Sequence, residues 1–240
     1  MSLSRELRDE GSNSARVRAL SDGVFAIVLT FLIFRLDIAK LTEASSDKEL
    51  LNAIKEQAAP ILGYILSFFI IGGFWMMHQR VFRHMSKFNR EAYWLNLQFL
   101  FFLSILPLTT SIHAGNHELL VGWLLYAGNV TVAGLGLLAL WLRASRDHLL
   151  DKDIDSEVRA FYMWRLATIP LVFLVSILVS FKNVMAAQWI PLAVPAVSWI
   201  ILKRILAATR SKRDQAGRRR LSTLKVCRNR TSPSLFGQTS

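Results

Sequence analysis

Arg18 and Asp22 stand four residues apart at the head of an apolar run, a spacing that puts both on one helix face where they can pair. Arg16 and Ser21 lie on the same turns, and the run continues as Gly23-Val24-Phe25-Ala26-Ile27-Val28-Leu29-Thr30. Charged groups beside so apolar a stretch are costly to expose to lipid, and ordinarily face protein or a watery path. The plainer reading is an interfacial cluster, with arginines snorkelling to headgroups and Asp22 satisfying helix N-terminal amides. Spacing alone favours it.

Other polar groups with chemical capacity are sparse. His78 follows Trp75 at i+3 and Asn96 sits inside a later apolar run; a lone His or Asn among packed membrane helices more often bridges them than binds a ligand. His78, His113, His117 and Glu118 are the candidate groups for a small-solute transporter or a membrane enzyme, but their spacing supplies no base, nucleophile and oxyanion arrangement. No paired His or carboxylate spacing supports a metal site. Cys227 is the one cysteine, which excludes an intrachain disulfide and a thiolate metal site within one chain. The expectation is a protein without catalytic residues, metal or cofactor.

The elements that carry these groups follow from composition. Hydrophobic residues make up 52% of the 240, against 19% charged, an awkward balance for a water-soluble domain. The apolar residues are also clumped: Ala58–Gln79, Ala92–His117, Leu119–Leu142, Leu166–Phe181 and Asn183–Leu202 hold no Asp, Glu, Lys or Arg. Most of these are near the roughly 20 residues a helix needs to cross about 30 Å of hydrocarbon. Gly23–Phe34 has only twelve uncharged residues. It becomes a span if the helix continues through Arg16, Arg18 and Asp22 with those side chains facing protein. The reading is an all-α polytopic membrane protein with six transmembrane helices.

Topology follows from the loops. With both termini in the cytoplasm, 24 of the 29 Lys and Arg lie on the inner side, leaving only Arg35, Lys40, Lys48, Lys55 and Lys182 elsewhere. The net charge of +12 is thereby explained by membrane topology, and nucleic-acid binding is not expected. Residues 1–15 read as a cytoplasmic segment, 16–208 as the six-helix domain and 209–240 as a basic, disordered cytoplasmic tail facing anionic headgroups or solvent. The polar N-terminus through Asp22 lacks the apolar core of a signal peptide, so the first span is expected to target the chain. Pro107, Pro170, Pro191 and Pro195 each remove a backbone donor within a span and invite a kink.

The segment Arg16 to Asp22 resembles the signature Arg-x-x-x-Phe-Ser-Asp of the transmembrane protein 175 family of potassium channels, with Leu20 in place of Phe. A second stretch is similar to the same family: Ser67-Phe68, Trp75-x-x-His78, Phe82, Asn96 and Leu106-Pro107. The resemblance covers about residues 16–112. It implies a potassium-permeable channel without the Thr-Val-Gly-Tyr-Gly filter loop, which is absent here. The first helix would line the pore, with Ile27, Phe31 and Phe34 forming an apolar constriction and Thr30 a hydroxyl layer. It also implies that Arg16, Ser21, Asp22, Trp75, His78 and Asn96 form a polar network holding the first helix.

Positions 27, 30, 31 and 34 follow i, i+3, i+4, i+7, so one helix face can present all four. Ala26, Leu29 and Ile33 give comparable stripes, and a packing face stays open beside the pore face. Two features depart from the family: Phe31 and Phe34 replace smaller residues, and Arg35, with Asp37 after it, replaces a commonly acidic residue at the outer mouth. One chain offers a single motif-bearing helix and cannot enclose a pore alone, so a homo-oligomer in the lipid bilayer is required. The resemblance makes it a tetramer of the prokaryotic type, in the cell membrane, with K⁺ as permeant ion.

Overall fold

The computed structural model describes the backbone of residues 3–35, 41–151, 153–200 and 203–204, and the side chains of these apart from 3–14, 35 and 59. The segment 36–40 and the tail 209–240, with Asp37 and Cys227, lie outside the described residues. Every named element is helical. Helix α1 spans Leu3–Phe31, and a 3-10 turn follows at Ile33–Arg35. Helix α2 is Asp47–Glu56, α3 is Ala58–Arg83, α4 is Arg90–Gly115, α5 is Leu120–Arg146, α6 is Ser156–Ser180 and α7 is Val184–Ala187.

Among the described residues, four helices are long and apolar enough to cross a membrane: Pro60–Arg83 within α3, then α4, α5 and α6. Their composition explains both length and burial, since in lipid the backbone must satisfy itself and helices do so residue by residue. Helix α1 falls outside this set because Arg16, Arg18 and Asp22 interrupt its apolar part. It runs through residue 15 without a break, so the expected boundary between an N-terminal segment and the first span lies inside one helix.

The last apolar stretch, expected as a single span over Asn183–Leu202, is broken among the described residues. Asn183 caps α7 by accepting from the Ala186 amide at 3.0 Å. A 3-10 turn at Ile190–Ala193 comes next, and helix resumes over 194–200. Pro191 lies in that turn and has no amide to continue an α ladder, which accounts for the tighter geometry.

The short helix α2 has the capping residues its sequence offers. Ser46 accepts from the Glu49 amide at 3.3 Å while the Glu49 carboxylate accepts from the Ser45 amide at 2.9 Å. None of its residues is buried.

The core is centred on α5, which packs against α4 on one side and α6 on the other. Gly134 lets α6 approach closely: a Cβ there would stand 2.9 Å from Pro170 Cδ. Helix α1 lies against α4 and α3. At one end of the bundle the α3–α4 and α5–α6 connections clasp each other, with Met85 bridged to Leu150. The Ser86 amide donates to Leu149 O at 2.9 Å and the Asp151 amide to His84 O at 3.0 Å. Asn89 caps α4 through the Ala92 amide at 2.8 Å and also donates to Asp147 Oδ2 at 2.8 Å. Both connections therefore lie at the same end of the bundle, as a short-loop arrangement of antiparallel helices requires.

Candidate functional site: the two faces of the first helix

Helix α1 divides into two faces. Val17, Ser21, Phe25, Val28 and Leu32 are buried, at spacings of four, four, three and four, the register of a stripe packed on α3 and α4. Phe25 retains 1% of its surface and Leu32 none. Ile27 and Phe31 are each 54% exposed and Phe34 is 67% exposed. Thr30 is exposed with them, its hydroxyl donating back to Ala26 O at 2.8 Å. Leu29 is half-buried and packs against the core, so it belongs to the flank. Ala26 and Ile33 are also exposed. Phe31 and Phe34 meet edge to face at 6.3 Å between centroids.

The buried face carries polar groups, and α3 and α4 supply their partners. His78 Nε2 lies 2.9 Å from Asn96 Oδ1, and Asn96 Nδ2 donates to Ser21 Oγ at 3.1 Å. Ser21 Oγ in turn donates to Val17 O at 2.9 Å. Because Asn96 uses its amide hydrogens on Ser21, its oxygen accepts from His78 Nε2–H, which sets the imidazole tautomer and gives the chain one direction. The His78 ring stacks on Phe82 at 4.1 Å and on Phe99 at 5.6 Å, with the Phe25 edge at 5.6 Å. These rings exclude water from the junction of the three helices.

Asp22 lies one residue further round α1, at the edge of that junction. Its Oδ1 accepts from Trp75 Nε1 at 3.0 Å and from the Gln79 side-chain amide. Trp75 and Gln79 are four apart, adjacent on the same face of α3, and both turn toward α1 while His78 turns toward α4.

The structure thus brings Ser21, Asn96 and His78 into one chain and Asp22 with Trp75 into a second pair beside it. Arg16 makes no hydrogen bond or ion pair among the described residues; it lines a cleft with Arg90 and Tyr93 beside the middle of α1. Arg18 does not pair with Asp22. Its guanidinium donates to Phe82 O, a carbonyl in the last turn of α3, and its charge lies 6.0 Å from the Phe82 ring centroid. A carbonyl in the last turn of a helix, at the negative end of its dipole, is a strong acceptor for a cation even though Phe82 O also accepts the Met85 amide at 3.3 Å, and it outcompetes a carboxylate that α3 already engages with two donors.

Sequence reading missed Gln79 and the destination of Arg18. Gln79 carried a signal, being the i+4 neighbour of Trp75. The Phe82 carbonyl carried none, since backbone acceptors look alike in every helix.

The groups weighed for transport or enzyme chemistry are dispersed. His113 stacks on Tyr126 at 5.7 Å and meets the Trp123 edge at 5.0 Å, while His117 and Glu118 form an exposed pair at 4.0 Å. Among the described residues no cluster of three or more His, Cys, Asp or Glu can hold a metal ion. Arg35 has no described side chain, so the outer-mouth departure lies outside what the structure describes.

Comparison with known proteins converges on one family. Residues 16–107 match the family model described as the endosomal/lysosomal potassium channel TMEM175. A potassium channel of Streptomyces collinus is 33% identical over 153 residues, covering 60% of this chain and 71% of that one. The endosomal/lysosomal proton channel TMEM175 of Danio rerio is 33% identical over 146 residues, but the match spans only 28% of its length. The crystal structure of a homologue, from Chamaesiphon minutus, of the lysosomal potassium-selective channel TMEM175 superposes with a TM-score of 0.66. It has 23% identity and covers 81% of this chain and 98% of that one, a likeness of fold.

Proposed function

Since the chain belongs to the TMEM175 family, we propose that it is a potassium-permeable cation channel whose ion path runs along the exposed face of α1. The observation that carries this reading is the division of α1. One face is locked into the bundle, and Ile27, Thr30, Phe31 and Phe34 are left outward together at helical spacing.

One copy of α1 encloses nothing, so the channel is a symmetric homo-oligomer, a tetramer of six-span subunits around an axis facing these four residues. Both termini lie in the cytoplasm, by the positive-inside count of the loops. A ring of Ile27, Phe31 and Phe34 is an apolar neck that holds few waters when narrow and conducts when the helices move apart. Thr30 adds oxygen ligands for a partly dehydrated K⁺ beside the neck. Ser21, Asp22, Trp75, His78 and Asn96 hold α1 at a fixed rotation, so that the apolar face and not the polar one meets the axis. The bacterial relative points to a prokaryotic cell membrane.

The test is K⁺ flux through purified protein in liposomes, with Na⁺ as competitor, for wild type and Ile27→Asn. Potassium-preferring, non-saturating flux that rises on wetting the neck with Asn is the expected result. Saturable flux selective for a small solute, or folded oligomer with no ion flux from either form, would remove the channel reading.

A further inference from the structure

The cleft beside the middle of α1 is unaccounted for by the polar network or the pore face. It has a volume of about 580 Å³ and is lined by Arg16, Val17 and Leu20 of α1, by Phe88 and Asn89, and by Arg90 and Tyr93 of α4. Neither arginine has an ion pair or hydrogen bond among the described residues, and three described acids on the neighbouring elements are engaged elsewhere. Glu91 pairs with Arg143, Asp147 accepts from Arg143 at 2.9 Å and from Asn89 at 2.8 Å, and Asp22 is held by Trp75 and Gln79.

Two guanidinium groups without a partner among the described residues thus border a cavity whose remaining wall is largely apolar. Its level relative to the bilayer follows from sequence. Arg90 stands two residues before the apolar run opening at Ala92, and the half-exposed Tyr93 and Trp94 sit where aromatic side chains favour the headgroup layer.

We infer that this cleft is a binding site for a phosphate group, supplied by the headgroup of an anionic lipid. Arginine forks match phosphate oxygens in a way that a lysine point charge does not. Leu20, Phe88 and the Tyr93 ring offer apolar surface to the glycerol and first methylenes of such a lipid. Because Leu20 lies on α1 seven residues before Ile27, the bound lipid would touch the helix that carries the proposed pore face. The site itself is independent of whether that helix conducts.

Thermal unfolding of the detergent-solubilised full chain tests the site, because a ligand that binds the folded form raises its melting temperature by mass action. The titrants are short-chain phosphatidylglycerol, short-chain phosphatidylcholine and inorganic phosphate, each against wild type, Arg90→Gln, Arg90→Lys and Arg146→Gln. Saturable stabilisation by phosphatidylglycerol is expected. Its midpoint should move about fivefold higher in Arg90→Gln, from roughly 1 kcal/mol per basic residue near anionic headgroups. Arg90→Lys, which keeps the charge and the helix, should fall between that variant and wild type, and Arg146→Gln should match wild type. If inorganic phosphate gives the same Arg90-dependent shift, the phosphate site stands and its source is soluble; if only the lipid does, the source is the membrane. Equal midpoints for wild type and both Arg90 variants, or equal stabilisation by phosphatidylcholine that does not depend on Arg90, would overturn the assignment.

Discussion

Asn96 holds His78 at 2.9 Å through its oxygen and Ser21 at 3.1 Å through its nitrogen, so one side chain of α4 ties α3 to α1. All three are buried, with at most 1% of their surface exposed. Removing the bridge leaves a buried donor on His78 and costs Ser21 its incoming hydrogen bond. Asn96→Leu should therefore lower stability by about 1–3 kcal/mol. The check is a lower melting temperature in detergent, and an unchanged one would show that the bridge is not needed.

Asp22→Ala should act differently, because Asp22 and its partner Trp75 are exposed at the edge of the junction and its other partner Gln79 is half-buried. Water can replace a lost acceptor there, so the melting temperature of the subunit should fall less than for Asn96→Leu. The larger effect should be on assembly: with one anchor gone, α1 can rotate away from the orientation its neighbours need. A smaller oligomeric fraction in size-exclusion chromatography is expected, and full assembly with normal flux would refute the anchoring role.

Gly134→Ala tests the packing of α5 on α6. The added methyl would meet the ring of Pro170 at 2.9 Å, and a proline ring in a helix interior cannot swing aside. Overpacking of this kind costs about 1–3 kcal/mol. Gly128→Ala is the matched control, with nothing within 4 Å of its Cβ. It should retain wild-type stability.

Asn89→Ala removes both the cap on α4 and the hydrogen bond to Asp147 that joins the two clasped connections. Loss of an N-cap costs roughly 1 kcal/mol. Amide hydrogen exchange should accelerate at the start of α4 and in residues 147–151 together. Acceleration confined to α4 would show that the clasp does not depend on this side chain.

Much of the bundle was legible in the sequence because uncharged runs of membrane length admit few structures other than helices. The runs opening at Ala58, Ala92, Leu119 and Leu166 each correspond to a long helix, extended beyond the uncharged stretch by interfacial residues such as Arg80–Arg83 and Ser156–Arg165. The final stretch broke where Pro191 stands, which composition alone does not rank against Pro107 or Pro170, both tolerated inside helices. The face of α1 was the harder question. Periodicity offered Leu29 and Ile33 equally with Ile27 and Phe31, since a membrane helix is apolar all round. Only packing separates Leu29, set against the core, from Ile27, set outside it. Polar partners followed a similar rule: His78 and Asn96 meet as side chains of recognisable type, whereas Arg18 found a backbone carbonyl that no spacing reveals.

The most direct test of the central claim uses cysteine accessibility during conduction. With Cys227→Ser as background, single cysteines at 27, 30, 31 and 34 are compared with cysteines at 25, 28 and 32 while K⁺ current is recorded and a charged thiol reagent is applied. Modification is expected to alter current at the first four positions and to leave it unchanged at Phe25, Val28 and Leu32. Current insensitive to modification at 27, 30, 31 and 34, in channels that still conduct, would contradict an ion path along this face of α1.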